Sequence, residues 1–354
     1  MIEPGLLSHA GELAASFLPP CKLCVVTDET VGRLYGGPQS ALFKSLASAG
    51  FDVYQYTFPA GEKHKTLETV GAILDYLSEQ RFHRGDALVA LGGGVPGDMT
   101  GFAAAIYMRG IKFIQIPTTL LACVDSSIGG KTGVDLAAGK NLAGAFWHPE
   151  LVLVDTDTFD TLTDDLYRDG LAEIIKAGMI GDATILEDVV REGFQADLSA
   201  DRTDKSDLIN VIVKALRVKA AIVAADERET GIRQLLNLGH TIGHAIERCS
   251  GYAIAHGRAV AIGTVMACAA AERKGWTDSN CADLLRDLFL QFGYSLDPRA
   301  GAAELAAAAL HDKKARTDSI TIVYPKQPGE CGLRPLPVSE LEGFIRYGLD
   351  YLGQ

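Results

Sequence analysis

The pattern of apolar and polar positions changes character near the middle of the chain. In the first part, short apolar runs alternate with amphipathic stretches. Residues 23–27 form an apolar strand pattern that ends in Asp28-Glu29-Thr30. Residues 40–49 read as a helix and 51–58 alternate as a strand, before a turn signal at Pro59-Ala60-Gly61-Glu62-Lys63. An amphipathic helix is expected over 66–79. Residues 87–91 are continuously apolar, the pattern of a buried strand, and run into Gly92-Gly93-Gly94-Val95-Pro96-Gly97-Asp98. A helix follows to about Tyr107, then a strand over 112–116 closed by Pro117-Thr118-Thr119, and a last strand over 151–155. Such alternation predicts a parallel sheet flanked by helices.

After about Leu162, helical patterns dominate. They cover 171–180, 185–191, 207–225, 235–248, 259–274, 282–292, 302–311 and 338–351, and only 319–324 reads as a strand. The chain is therefore expected to hold an α/β domain over 1–162 and a mainly helical domain over 163–354, with a functional cleft between them. Its 354 residues suit two domains, and 47% hydrophobic content is too much for disorder. The longest apolar run, 259–271, falls short of the roughly 20 residues that span a bilayer and is expected as a buried helix. Met1-Ile2-Glu3-Pro4 lacks the basic-then-apolar pattern of a secretory signal, so a cytoplasmic protein without a membrane partner is expected.

Charge narrows the choice further. A net charge of −12 argues against broad nucleic-acid binding, which needs basic surface. Any anionic ligand must be met by lysines and arginines gathered locally. Seven cysteines, an odd number scattered along the chain, do not form a disulfide pattern. Cys21 and Cys24, the CxxC pair, stand at the start of a strand and read as structural.

Candidate chemistry concentrates between Arg233 and His256. His240 and His244 are four apart, and Asn237 and Arg233 precede them on the same edge of the expected helix. Beyond the Gly251-Tyr252 turn signal, His256 can fold back towards them. Imidazoles so spaced commonly ligate a transition metal; the alternative is hydrogen-bonded histidines on a packed helix. Glu173 is a candidate third ligand with Lys176 one turn on, or else half of a surface ion pair. Residues 92–97 match G-x-G-x-x-G between a strand and a helix, suited to a pyrophosphate or simply to a tight turn. The stretch from Val124 to Asp135 combines Asp125, two serines, a diglycine and Lys131, with Lys140-Asn141 nearby. It reads as a loop for a phosphate or polyhydroxylated ligand, or as a solvated glycine-rich loop. Lys219 lies among apolar neighbours, and Asp312-Lys313-Lys314 reads as a solvated charge cluster.

Together the segments GGGVPGDMTGF, YMRG, IPTTLLACVDSSIGGKTGVD, GKNLAGAFW, GLAEIIKAGMI, LLNLGHTIGHAIE and HDKK resemble the 3-dehydroquinate synthases, sugar phosphate cyclases, in the family's order. The resemblance implies a Rossmann-like NAD domain and a helical metal domain. It implies zinc, or cobalt, on Glu173, His240 and His256, with His244 in the substrate and proton-handling set. Arg109, Asp125, Lys131, Lys176, Lys219, Arg233, Asn237 and Lys313 (rather than Lys314) fall on substrate positions. Asp28, Glu62, Lys65, Gly93, Gly94, Val95, Gly97, Asp98, Thr118, Thr119, Lys140, Asn141 and Thr161 fall on cofactor positions. Two departures are visible: Pro96 in the glycine turn, and Arg258 where the family usually carries Glu. The reaction implied converts 3-deoxy-D-arabino-heptulosonate 7-phosphate to 3-dehydroquinate and phosphate. It runs through transient oxidation by NAD, phosphate elimination, re-reduction and intramolecular aldol closure. A homodimer is expected from the resemblance alone. Rival readings are a metal-dependent polyol dehydrogenase of the glycerol dehydrogenase type, a cyclase for another sugar phosphate, and a catalytically silent NAD- or metal-binding regulator. The first has no need of the clustered cations, SSIGGKTGVD and the Arg233-to-His244 series disfavour the second, and the third is expected to have lost ligands.

Overall fold

The computed structural model describes residues 1–191, 205–277, 280–312 and 318–353. The chain forms two compact units, Met1–Leu162 and Thr163–Gln354. Strands of the first are β1 (Ile2–Glu3), β2 (Lys22–Asp28), β3 (Asp52–Phe58), β4 (Ala87–Gly92), β5 (Lys112–Pro117), β6 (Lys131–Leu136), β7 (Gly139–Phe146), β8 (Leu151–Val152) and β9 (Val154–Asp155). Its α-helices are α1 (Ala10–Ala15), α2 (Glu29–Tyr35), α3 (Ala41–Ser48), α4 (Leu67–Glu79) and α5 (Gly94–Ile106).

A five-stranded parallel sheet, ordered β3-β2-β4-β5-β8, forms the centre of this unit. Leu23, Val25, Val89 and Ile114 pack with Leu42 and Leu46 of α3 on one face. Cys24, Val26, Leu88 and Phe113 pack with Ile73 and Leu77 of α4 and Phe102 of α5 on the other. Helices on both faces explain why β4 is an unbroken apolar run rather than an alternating one. Burial also pushes the free thiols of Cys21 and Cys24 up to about 11 and about 12, which suits inert, structural cysteines.

Two expectations for this unit are corrected. The strand expected over 151–155 divides, with β8 completing the main sheet and β9 pairing with β1. The stretch from Val124 to Asp135 is not a loop. A π-helical turn, Ala122–Ser126, leads into the antiparallel hairpin β6–β7. Its glycines serve strand contact: a Cβ on Gly133 would lie 2.5 Å from the Ala143 oxygen, and one on Gly144 would lie 2.0 Å from the Thr132 oxygen. Pro96 is accommodated because it occupies the first turn of α5, where backbone N–H groups lack helical partners anyway.

The second unit contains α6 (Asp164–Gly181), α7 (Thr184–Arg191), α8 (Ser206–Ala225), α9 (His240–Cys249), α10 (His256–Arg273), α11 (Cys281–Gln291), α12 (Ala302–Asp312) and α13 (Val338–Leu352). Strand β10 (Ser319–Gln327) pairs with β11 (Glu330–Pro337), a partner the apolar pattern did not reveal because β11 is mostly exposed. Helix α6 starts seven residues before the expected 171. Thr163 caps it by accepting from the Leu166 N–H, and Asp164 and Asp165 complement the dipole, signals independent of hydrophobicity. Helix α10 is buried nearly all round and joins Ile242 and Ile246 of α9, Leu305 of α12 and Phe344 of α13 in one core. Among the described residues, no helix is long and apolar enough to cross a membrane.

The helix expected over 235–248 is also corrected. A 3-10 turn, Ile232–Asn237, ends before Gly239, and α9 begins only at His240. Gly239 has φ 76°, and a Cβ there would lie 2.1 Å from Thr264 Oγ1 and 2.8 Å from the Val260 oxygen of α10. Arg233 and Asn237 therefore do not share a helical edge with the histidines.

Gly239→Ala combines left-handed strain with a clash against α10 and is expected to lower stability by about 2–4 kcal/mol. Gly71→Ala, in α4 with open space around the new methyl, should raise stability by about 0.5–1 kcal/mol. Urea denaturation of the two variants beside the parent checks both signs.

Candidate functional site

In the second unit, α6, α9 and α10 bring together three groups far apart in sequence. Glu173 lies within α6, and His240 and His256 are the first residues of α9 and α10. Glu173 is buried, and its Oε1 has no hydrogen-bond partner. That oxygen lies 3.7 Å from His240 Nε2 and 3.6 Å from His256 Nε2. Its other oxygen pairs with the Lys176 ammonium. Burial acts to raise the Glu173 carboxyl, but Lys176 and the histidines outweigh it and hold the group well below the usual range.

The His240 ring is oriented by its other nitrogen. Nδ1 lies 3.1 Å from the Leu238 carbonyl, which can only accept, so the proton sits on Nδ1 and the Nε2 lone pair faces Glu173. Burial, with Lys176 adding to it, pushes His240 down to about 3, so the ring is neutral. Burial also works to lower His256, yet Glu173 and Glu247 overcome it and push His256 up to about 10. A carboxylate oxygen and imidazole nitrogens thus converge on a point that favours positive charge. One carboxylate and two imidazoles are a donor set suited to a catalytic divalent metal with open positions.

The neighbouring residues vary in placement. His244, one turn beyond His240, is exposed, with its ring 5.2 Å from the His240 ring and 6.1 Å from that of His256. Lys219 of α8 and Arg233 are both buried. Arg233 donates through Nη1 to the Glu227 carbonyl, while Asn237 Nδ2 donates to Glu229 Oε1 at 2.7 Å. Lys313 and Lys314 lie outside the described residues.

In the first unit, Lys65 Nζ reaches Asp98 Oδ2 and Asn141 Oδ1, each at 2.6 Å. Asp135 of β6 ties the same region together, donating its N–H to the Lys65 carbonyl and accepting the Asn141 N–H at 2.7 Å. Lys140 lies 3.5 Å from Glu62. Gly93 precedes α5, whose first residues are Gly94 and Val95; a Cβ on Gly93 would press on Thr119 at 3.3 Å. Gly97 also lets Gln115 approach α5 closely, since a Cβ there would lie 2.4 Å from Gln115 Nε2. The Thr118 N–H donates to the Gly92 carbonyl, and Thr119 Oγ1 accepts from the Ala122 N–H. Asp28 caps α2, while Thr161 Oγ1 donates to the Thr158 carbonyl at 3.0 Å and lies 2.9 Å from the Tyr35 hydroxyl of α2. Asp125 lies in the π-helical turn, Lys131 opens β6, and exposed Arg109 ends a 3-10 turn with φ 70°. Trp147 packs where a Cβ on Gly110 would stand, 2.6 Å away, and so braces that turn.

Sequence reasoning passed over four carboxylates that hold these residues. Asp226 accepts the N–H groups of Thr230, Gly231 and Arg233, and these bonds hold it at about 2. Glu229 holds Asn237, Asp169 accepts the Gly257 N–H beside His256, and Glu247 lies 3.4 Å from His256 Nδ1. Only Glu247 had a legible signal, seven residues after His240 and three after His244 on one helix. Arg258 donates to the Ser295 carbonyl at 2.9 Å, away from Glu173, His240 and His256.

Residues 55–169 match the family described as 3-dehydroquinate synthase N-terminal, and residues 170–315 match its C-terminal counterpart. A 3-dehydroquinate synthase of Enterococcus faecalis is 40% identical over 346 residues, 97% of this chain and 94% of the relative. Among solved structures, 2-epi-5-epi-valiolone synthase from Streptomyces hygroscopicus, with NAD+ and Zn2+ bound, is similar at a TM-score of 0.88 and 26% identity, over 100% of this chain and 96% of that one. A 2-deoxy-scyllo-inosose synthase complexed with carbaglucose-6-phosphate, NAD+ and Co2+ matches at 0.84 and 25% identity, over 98% of this chain and 96% of that one.

Lys65 and Asp98 give a test within the first unit. Lys65→Met leaves a largely buried carboxylate without its ammonium and should cost about 3–5 kcal/mol in urea denaturation at neutral pH. Burial outweighs Lys65 and pushes Asp98 up to about 6, above its ordinary unfolded value. The folded state then holds the Asp98 proton more tightly, so this contribution is complete below about pH 4 and lost as pH rises through 6. The stability of the parent relative to Asp98→Asn should fall across that window.

Proposed function

The chain belongs to the 3-dehydroquinate synthase family, and from that membership we propose that it converts 3-deoxy-D-arabino-heptulosonate 7-phosphate to 3-dehydroquinate and phosphate, using NAD and zinc or cobalt. The observation that carries the reading is the buried Glu173 oxygen facing two imidazole nitrogens. Glu173, His240 and His256 would hold the metal. The turn at Gly93, Gly94, Val95, Gly97 and Asp98 would hold NAD, together with Asp28, Glu62, Lys65, Thr118, Thr119, Lys140, Asn141 and Thr161. When bound, NAD supplies a transient hydride acceptor, and the metal a Lewis acid that eases loss of a hydroxyl proton.

The chain's own residues supply the rest. Lys176 keeps Glu173 ionised by pairing with one oxygen and leaving the other available. Lys219 and Arg233 are buried cations, so hydrogen bonds from them to a carboxylate or phosphate are charge-assisted and little screened by water. They offer local positive charge in a protein of net −12. We assign His244 to proton transfer at its imidazole, since its exposed ring adjoins the ligand pair without filling a ligand position. Asn237, Arg109, Asp125, Lys131 and Lys313 are assigned to substrate binding on the family resemblance. The same resemblance supports a cytoplasmic homodimer.

Loss of a ligand should be visible directly. Glu173→Ala, His240→Ala and His256→Ala should each lose stoichiometric zinc by elemental analysis, whereas His244→Ala should keep zinc and lose activity. Zinc lost from His244→Ala and kept by His256→Ala would reverse the assignment.

Redox balance separates this reading from a polyol dehydrogenase. The heptulosonate phosphate should release phosphate over many turnovers with catalytic NAD and a flat NADH absorbance. NADH rising in step with substrate loss would identify a dehydrogenase instead.

A further inference from the structure

The His256 ring is fixed from three sides. Its backbone is tied to α6, because Asp169 Oδ1 accepts the Gly257 N–H at 2.9 Å. The two helices touch there: a Cβ on Gly257 would lie 2.3 Å from the Asp169 oxygen. Nε2 faces Glu173 Oε1 at 3.6 Å, and Nδ1 faces Glu247 Oε1 at 3.4 Å. Glu247 lies on α9 and is buried. It comes seven residues after His240, on the same face of that helix.

A neutral imidazole has one N–H and one lone pair, and the acceptor beside one nitrogen decides which nitrogen is which. An ionised carboxylate can only accept. Glu173 is a carboxylate too, so Nε2 gives up its proton only to a cation held there, and Glu247 then keeps the remaining proton on Nδ1. His240 receives the same instruction from the Leu238 carbonyl, 3.1 Å from its Nδ1. With a cation on the two Nε2 atoms the rings have matched tautomers but unlike acceptors, one a neutral carbonyl and the other a charged carboxylate.

We propose that Glu247 is a positioning residue that orients His256 and strengthens it as a metal donor through Nδ1–H. The proposal rests on the reading that Glu173, His240 and His256 hold the metal. A competing use of the same atoms can be stated. His244, Glu247 and His256 also bring ligand atoms within 4.8 Å of one another. A second cation there would need the Nδ1 lone pair, which is the opposite tautomer. One ring proton cannot serve both arrangements, so the two are distinguishable.

The test is chelator competition on the zinc-loaded full-length enzyme, with the parent, Glu247→Ala, Glu247→Gln and Glu173→Ala. Glu247→Ala is expected to weaken zinc binding about 10–100-fold. Glu247→Gln keeps a neutral acceptor of nearly the same shape, so its loss should be smaller. It should also protect the measurement if the alanine variant does not fold. Nitrogen NMR of the histidine rings should report an Nδ1–H tautomer for His256 in the parent and a mixture in Glu247→Ala. Zinc affinity unchanged in both Glu247 variants, with normal loss in Glu173→Ala, would overturn the assignment alone. Unchanged affinity in Glu173→Ala would overturn the metal reading and this proposal with it. Two zinc ions per chain, the second lost in both His244→Ala and Glu247→Ala, would make Glu247 a ligand and overturn its positioning role.

Discussion

A carboxylate deprived of water must be compensated, and the second unit is arranged around that requirement. Glu173 is among the buried charged residues, with only 3% of its side chain exposed. An ionised group in such a position costs several kcal/mol unless charge and hydrogen bonds replace the lost water. Lys176, one turn along α6, satisfies one oxygen. The other is left to His240 and His256 and lacks a hydrogen bond. The carboxylate is thereby divided between the Lys176 ammonium and two imidazole nitrogens. The division explains how a single carboxylate can be stable in the core and still keep one oxygen available.

That arrangement needs three helix backbones at close quarters, and glycine permits it. A Cβ on Gly263 of α10 would lie 2.2 Å from the Gly239 oxygen, and one on Gly257 would strike α6. The left-handed turn at Gly239 then starts α9 at His240, so the first imidazole projects from the helix terminus. Close packing has a second effect. It breaks the helix before the histidines, and a separate turn, pinned by Asp226, presents Arg233 and Asn237. The cation and the amide are positioned independently of His240 and His244.

The first unit solves a related problem with a different device. Its parallel sheet is covered on both faces by apolar packing, and its buried polar side chains must find partners among themselves. Lys65, Asp98 and Asn141 come from three separate segments and satisfy one another. Asn141 adopts φ 54°, a strained value for a residue with a side chain, and the Asp135 bond to its N–H holds it there. Pro96 fits the glycine turn because it stands in the first turn of α5.

Much was legible in the chain itself. Runs such as 87–91 and 112–116 announce buried parallel strands because both of their faces must be apolar, and the change of pattern after Leu162 announces the helical half. Glu173, His240 and His256 were readable as candidates because few residue types ligate metals and the family's segments stand in order. Other features depend on contacts that no local pattern records. The break at Gly239 follows from the space left by Thr264, and the hairpin β6–β7 from glycines facing each other across two strands. Glu247 and Asp169 gain their meaning only when α9 and α6 lie against the start of α10. The sequence by itself determined which groups can carry charge, protons or metal, because that is a property of each side chain. Only the tertiary structure decided which of them meet, because distance and burial arise from segments remote along the chain.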